Sequence, residues 1–202
     1  MGKMVFVAPT AVCRGDEGTP IRINAGANMQ DGVVIHALET RNNGHNIDGR
    51  KFTGDGERLG GSDPRFADGY AVWIGSNTSL AHGSMIHGPA WIGNNTFVGM
   101  ESMIFNAKIG DDVAVGVPAT VTGGVEIADG KFVPPGLVIM TQADADALPD
   151  RQGGPYEHTN AAVLHVNQQL AEEYDKASLE IIIQERERMM ERGMVETSMP
   201  DP

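Results

Sequence analysis

The sequence contains little of what usually holds a small protein together. It has one cysteine, Cys13, which excludes an intrachain disulfide framework. Aromatic residues make up only 5% of the chain, fewer than a conventional helical bundle or β-sandwich uses to fill its core. No apolar run is long enough for a secretion signal or a membrane span. We therefore expect a cytoplasmic protein that does not interact with a membrane.

Positive charge is also scarce. The chain has 15 lysines and arginines against 27 aspartates and glutamates, which gives a formal net charge of −12. Proteins bind nucleic acids and anionic membranes through clustered lysines and arginines. The charge balance therefore predicts neither kind of partner.

What the chain has in abundance is glycine, with 26 residues, and a six-residue repeat. After residues 1–20, which show no regular pattern, a branched or long apolar residue recurs every six positions from Ile23 to Ile35. The pattern resumes from Ile74 to Ile139, with one five-residue step. Alternation with a period of two would not return so regularly to one residue type, so we interpret the pattern as a hexapeptide repeat. The repeat positions are Ile23, Met29, Ile35, Ile74, Leu80, Ile86, Ile92, Val98, Ile104, Ile109, Val115, Val121, Ile127, Val133 and Ile139.

Hexapeptide repeats predict a parallel β-helix. Three repeats form one triangular coil of about 18 residues, in which the repeated apolar side chains point inward. Each coil lies about 4.8 Å from the next, which is the ordinary spacing of strands. One coil cannot bury its own interior, so the coils stabilise one another by stacking. An interior of valine, isoleucine, leucine and methionine also accounts for the shortage of aromatic residues.

The repeat assigns residues 1–141 to the β-helix domain, with an inserted segment at 40–71. That insertion is polar and rich in glycine, which fits a disordered loop and a lid over a site equally well. After a connection at 142–158, apolar residues at steps of three and four predict a helix within 159–192 that packs along the β-helix. Residues 193–202 are expected to form a frayed tail.

Two histidines occupy the same phase of the repeat. His36 follows inward-pointing Ile35, and His87 follows inward-pointing Ile86, so alternation along the strand places both imidazoles outside the coil. If the segment 40–71 leaves the helix between two coils, these histidines lie one above the other on neighbouring rungs. Two imidazoles at that spacing can converge on one metal ion.

A third histidine, His82, follows Leu80 by two residues and lies on a different face. It cannot easily reach an ion held by His36 and His87 of its own chain, but in a threefold trimer a neighbour's His82 could complete the site. Three histidines with an open fourth position are the ligand set of catalytic zinc. The alternative is three unrelated surface histidines, and the shared phase of His36 and His87 argues against it.

Four separated segments resemble a known family in the same order. They are residues 12–20 (VCRGDEGTP), 28–39 (NMQDGVVIHALE), 79–82 (SLAH) and 86–89 (IHGP). These segments resemble the γ-class carbonic anhydrases, and they are also similar to the γ-carbonic-anhydrase domain of the carboxysome assembly protein. The resemblance spans roughly residues 5–178. It implies a left-handed β-helix, a homotrimer with metal sites at its interfaces, and reversible hydration of carbon dioxide to bicarbonate.

The resemblance also implies roles for individual residues. His36 and His87 of one subunit, with His82 of the next, would bind zinc, or iron or cobalt under anoxic conditions. Further residues are implicated in catalysis. They are Gln30, which would orient water or bicarbonate, its pocket neighbour Asp31, the ion pair of Arg14 and Asp16, the proton shuttle Glu39 with Glu17 beside it, and the pocket-lining Asn28 and Asn167.

The chain departs from the family pattern in several places. The first coil is shortened, the segment 40–71 differs from the acidic loop of active members, and His165 stands where active relatives can carry tyrosine. Beyond residue 178 the resemblance stops. We expect these departures to affect the rate of proton transfer more than metal binding. We therefore predict a carbonic anhydrase, with a catalytically weak or inactive trimer that acts as a scaffold as the alternative and a hexapeptide acyltransferase as a third possibility.

Overall fold

The computed structural model describes residues 1–16 and 18–192. These residues form a parallel β-solenoid of about seven turns, followed by one long helix. Its strands are mostly two to four residues long. In chain order they are β1 (Phe6–Val7), β2 (Val12–Cys13), β3 (Ile21–Ile23), β4 (Asn28–Met29), β5 (Val34–Ala37), β6 (Arg41–Asn42), β7 (His45–Asn46), β8 (Lys51–Phe52), β9 (Arg58–Leu59), β10 (Val72–Ile74), β11 (Ser79–Leu80), β12 (Met85–Ile92), β13 (Phe97–Val98), β14 (Met103–Ile109), β15 (Ala114–Val115), β16 (Thr120–Val121), β17 (Glu126–Ile127), β18 (Phe132–Val133) and β19 (Val138–Ile139).

All fifteen repeat positions are buried and stack in three columns inside the coil. Burying a side chain of this size contributes about 1.5–3 kcal/mol, so the columns are the main source of stability. The predicted left-handed parallel β-helix is confirmed. The columns contain Ile23, Ile74, Ile92, Ile109 and Ile127; Met29, Leu80, Val98, Val115 and Val133; and Ile35, Ile86, Ile104, Val121 and Ile139.

The five-residue step in the repeat lies within β14. There, β12 carries one residue more than β14 in the stretch between His87 and Ala90, and the register shifts at that point. The extra residue is accommodated at Gly88–Pro89, a cis peptide bond. β12 and β14 pair both before and after the irregularity. The step therefore changes the corner of the coil without interrupting the apolar columns.

Residues 1–20 are more regular than the sequence predicted. β1 pairs with β4, and β2 pairs with β5, so this segment forms part of a first rung. The prediction of irregular structure was wrong because two-residue strands that belong to a single coil are too short to show a period.

The insertion 40–71 is ordered. β6 and β7 form one antiparallel hairpin, β8 and β9 form another, and a 3-10 helix covers Pro64–Asp68. Phe52, Leu59 and Phe66 are fully buried in a small core of the insertion. A disordered loop is therefore excluded, because these large side chains give the segment its own packing.

Two helices follow the solenoid. The short α1 (Gln142–Asp146) lies in the segment from which the sequence predicted only a connection. The long α2 (Thr159–Glu191) packs against β1 and β11, and Tyr174 contacts Phe6 with ring centroids 5.8 Å apart. Neither helix among the described residues is both long enough and apolar enough to cross a membrane. The predicted tail, 193–202, lies outside the described residues.

Candidate metal centre

His36 and His87 lie side by side on the outer surface of the solenoid. β5 and β12 pair in register, so His36 is directly opposite His87. The two ring centroids are 5.3 Å apart, with the planes at 77°. Ile35 and Ile86 point into the core beside them. The predicted stacking of these two rungs is confirmed, and it depends on the insertion leaving the helix between them.

A hydrogen bond holds the ring of His87 and leaves one of its nitrogens free to bind a metal. Its Nδ1 lies 3.1 Å from the carbonyl oxygen of Gly88, and because a carbonyl can only accept, Nδ1 must donate. In the neutral imidazole this leaves a lone pair on Nε2, as a metal ligand requires. Phe105 packs edge-on against the same ring, with centroids 5.3 Å apart. Sequence reasoning missed Phe105, although it follows Ile104 at the same phase at which His87 follows Ile86.

His36 forms a hydrogen bond with Asp16, which belongs to the predicted ion pair with Arg14. Its Nε2 lies 3.0 Å from Oδ1 of Asp16, and the guanidinium of Arg14 donates to Oδ2 of Asp16 at 2.8 and 3.1 Å. The hydrogen bond from Arg14 lowers the pKa of Asp16, so this side chain is a carboxylate at neutral pH. Because a carboxylate accepts, His36 donates through Nε2. Binding a metal through that nitrogen therefore requires Asp16 to release it.

His82 belongs to a different surface. Its Nδ1 lies 3.5 Å from Oδ2 of Asp31, whose Oδ1 accepts a hydrogen bond from Thr10 at 3.2 Å. The imidazole is 55% exposed. His82 and Asp31 line a pocket of about 440 Å³, together with Gln30 and Asn167. The remaining wall is apolar and comes from Phe6, Ala162, Val163, Val166 and Leu170.

The three predicted amide side chains are buried around this pocket. Asn28 donates through Nδ2 to Oγ of Ser79 at 2.8 Å, and Gln30 donates through Nε2 to Oδ1 of Asn28 at 3.4 Å. Asn167 donates to the carbonyl oxygen of Val163, one turn earlier in α2, at 2.8 Å. Sequence reasoning missed Ser79, although it precedes Leu80 as Asn28 precedes Met29.

Two further predicted residues were the carboxylates Glu39 and Glu17. Glu39 is exposed, two residues after β5, and Glu17 lies outside the described residues. In the part of the chain that the structure describes, no three histidine, cysteine, aspartate or glutamate side chains come together to hold a metal ion. One chain therefore presents two separate groups of candidate residues. We refer to them as the histidine pair (Arg14, Asp16, His36 and His87) and the His82 pocket (Asn28, Gln30, Asp31, His82 and Asn167).

The fold and the histidine pair define a hexapeptide-repeat β-helix protein with a candidate metal centre. A solved structure of a hexapeptide transferase family protein from Anaplasma phagocytophilum has the same fold. Its TM-score is 0.58 and its sequence identity 19%, over 86% of this chain and 80% of that one. At this identity the likeness concerns the fold alone.

Two curated proteins are much closer in sequence. Carbonic anhydrase from Methanosarcina thermophila is 43% identical over 180 residues, which cover 88% of this chain and 68% of the relative. Carboxysome assembly protein CcmM from Nostoc sp. is 40% identical over 174 residues, which cover 86% of this chain but 28% of the relative. The chain belongs to the γ-class carbonic anhydrase family. No protein-family model matches it.

Proposed function

We propose that this protein catalyses the metal-dependent, reversible hydration of carbon dioxide to bicarbonate and a proton, at sites shared between the subunits of a homotrimer. The observation that carries the proposal is the in-register histidine pair, which faces outward while His82 lies in a separate pocket. The 43% identity to a carbonic anhydrase supports the same activity. A neighbour's His82 would supply the third imidazole.

The donor chemistry of these residues fits zinc. Imidazole nitrogen is a preferred zinc ligand, and it also binds iron and cobalt, which are the alternatives. His87 is held in the tautomer that leaves Nε2 free to bind. Zinc on three imidazoles supplies Lewis acidity that lowers the pKa of water to about 7, an effect for which carbonic anhydrase is the standard example.

The chain's own polar residues would position the reactants. The amide of Gln30 lies beside Asp31 and His82 and can hydrogen-bond an oxygen of water or bicarbonate. Asn28 accepts a hydrogen bond from Gln30 and so would fix the position of its amide. Asn167 completes the polar part of the pocket. The apolar side chains in the rest of the lining suit the nonpolar substrate carbon dioxide.

The proton must then leave the site. Glu39 is an exposed carboxylate close to His36 in the sequence, so it can take a proton near the histidine pair and release it to solvent. Glu17 would assist it. Arg14 and Asp16 would shape the site rather than carry the proton, because Arg14 holds Asp16 in its ionised form.

A substitution of His82 tests the proposal. His82→Ala should lose bound metal and carbon dioxide hydration together, because no other described side chain would replace the third ligand. Metal content is measured on protein purified without oxygen, and hydration is measured by stopped flow. His45→Ala is the matched control, since His45 is exposed in the insertion. If His82→Ala retained both metal and activity, the shared site would be wrong.

A scaffold trimer is the second candidate function, favoured by the 40% identity to a carboxysome assembly protein. The same assay separates the two functions. Metal-loaded protein that shows no hydration above the buffer rate would support the scaffold, whereas turnover would support the enzyme. The likeness to hexapeptide transferases favours neither, because it concerns the fold.

A further inference from the structure

We infer that a second pocket, between the insertion and the solenoid, binds a small planar oxyanion of the carboxylate type, such as bicarbonate. This pocket has a volume of about 430 Å³ and shares no lining residue with the His82 pocket. Its polar lining includes Arg50, Arg58 and Asn106, and its apolar lining is Leu38, Pro89 and Phe105. We call it the arginine pocket.

This pocket is lined by positive charge, although the chain as a whole is negatively charged. The protein has a net charge of −12 and only 15 lysines and arginines, yet two arginines line this one cavity. Among the described residues, no carboxylate lies within 4.0 Å of the guanidinium of Arg50 or Arg58. One carboxylate, Asp48, also lines the pocket, and it accepts a hydrogen bond from the backbone of Gly61. The two arginines thus line the cavity without a carboxylate in salt-bridge contact.

The side chain of Arg58 is held in one position by its neighbours. Its Nη1 donates to the carbonyl oxygen of Gly49 at 2.9 Å and to Oδ1 of Asn106 at 3.1 Å, and its guanidinium lies 4.5 Å from the ring centroid of Phe52. Its Nη2 is buried and has no hydrogen-bond partner among the described residues. Burial lowers the pKa of this guanidinium. An anion in the pocket would relieve this cost by compensating the charge.

The chemistry of the lining selects the ligand class. The guanidinium of Arg50 presents a planar fork of donors that matches a carboxylate or bicarbonate in two parallel hydrogen bonds. Arg58 adds positive charge, since its Nη1 is already used on Gly49 and Asn106. Asn106 accepts from Arg58 through Oδ1, so its amide nitrogen is the group left to donate to a ligand. The apolar side formed by Leu38, Pro89 and Phe105 offers no hydrogen bonds to the hydration shell of a spherical ion.

The arginine pocket adjoins the histidine pair. Phe105 lines the pocket and also packs edge-on against His87. Pro89 follows Gly88, whose carbonyl accepts from His87. The two surfaces are therefore separated by a single layer of residues. The inference concerns anion binding and does not depend on the proposed hydration activity.

Direct binding to metal-free protein tests the inference. Isothermal titration with bicarbonate, acetate and chloride should give saturable binding of bicarbonate, with chloride binding at least about tenfold more weakly because it cannot use the planar fork. Equal binding of acetate would assign a general carboxylate site, and preference for bicarbonate would assign the reaction product; both support the inference. Absence of saturable binding by either oxyanion, or equal binding of chloride, would overturn it.

Two substitutions locate the binding. Arg50→Gln and Arg58→Lys should each weaken oxyanion affinity about tenfold. The first removes a charged donor, and the second removes the hydrogen bonds that hold the guanidinium and Asn106 in the pocket lining. Arg41→Gln is the control, since Arg41 lies in the same insertion but outside the pocket and donates to Asn46. Thermal unfolding of each variant checks that it is folded. Unchanged affinity in folded Arg50→Gln and Arg58→Lys would refute the location, and an equal loss in Arg41→Gln would do the same.

Discussion

At the scale of single residues, several side chains act through the position of one atom. The carbonyl oxygen of Gly88 selects the tautomer of His87, and the carboxylate of Asp16 occupies Nε2 of His36. The two histidines thus have different hydrogen-bond partners although they share a phase of the repeat. His87 is ready to bind a metal, whereas His36 must first exchange its partner.

Some glycines are required because neighbouring coils approach closely. A Cβ added to Gly93 would lie 2.6 Å from the backbone nitrogen of Asp111 and from the carbonyl carbon of Gly110 on the next coil. Gly130 differs, because it has φ +69° and no atom within 4 Å of an added Cβ. The first position excludes a side chain by contact, and the second disfavours it by backbone conformation.

Alanine at these two glycines should therefore destabilise the protein by different amounts. Gly93→Ala should cost about 3 kcal/mol or more, because the contact is with backbone that cannot move aside. Gly130→Ala should cost about 1–2 kcal/mol, the strain of a left-handed alanine. Urea unfolding at one fixed protein concentration measures both values. A smaller loss at Gly93 than at Gly130 would contradict the steric explanation.

At the scale of elements, the insertion is a small folded unit fastened to the solenoid. Arg58 donates to Asn106 of β14, and the indole of Trp91 in β12 donates to the carbonyl of Gly54 at 3.2 Å. Within the insertion, Arg65 donates to Glu57 at 2.7 and 2.9 Å and to both carboxylate oxygens of Asp63. These ion pairs hold the 3-10 helix against the β8–β9 hairpin.

The stability of the insertion should fall in acid. Hydrogen bonds from Arg65 lower the pKa of both Glu57 and Asp63 in the folded protein. The unfolded segment therefore binds more protons, so the stabilisation is complete above about pH 5 and is lost as the pH falls through the lowered values. Hydrogen-exchange protection of the Gly69 amide, corrected for intrinsic exchange, should decrease between about pH 5 and pH 3.

Arg65→Gln provides the comparison for this effect. It removes the partner of both carboxylates, so protection in the insertion should be lower at neutral pH and nearly independent of pH. Arg41→Gln, in the first hairpin of the insertion, should keep the wild-type pH dependence. A variant at Arg65 with the wild-type profile would assign the acid sensitivity to another group.

At the scale of the whole molecule, each chain would contribute unequal parts to every site. The histidine pair lies on the face built from β5 and β12, and His82 follows β11 on the face that α2 covers. The proposed threefold arrangement would bring these two faces of neighbouring chains together and close the ring. The apolar, half-exposed side chains of α2 beside the His82 pocket, including Val166 and Leu170, would then be covered.

Mixed trimers should distinguish a shared site from a site within one chain. His82→Ala chains retain the histidine pair, and His87→Ala chains retain His82, so neither variant alone should bind metal at the complete site. Random co-assembly of equal amounts should restore about a quarter of the interfaces, and with them about a quarter of wild-type metal content and hydration. Activity that stays at the level of the separate variants would contradict sharing.

The fold follows closely from the sequence because its repeat is one-dimensional. Fifteen apolar positions and their stacking order could be predicted, since each coil repeats the spacing of the one before. The register of His36 on His87 followed from the same spacing. The hairpins of the insertion, the first rung and α1 could not be predicted, because each consists of two to five residues without a period.

The sequence was sufficient to identify the residue types and their phase around the coil, because a side chain in a repeating strand has a defined direction. It could not show which atoms of those residues were already engaged. The tautomer of His87 depends on how the backbone turns at the next residue, Gly88. The contact of Asp16 with His36 joins residues 20 apart, and that of Arg58 with Asn106 joins residues 48 apart. Such contacts depend on where folded segments meet in space, and no local pattern in the chain encodes those distances.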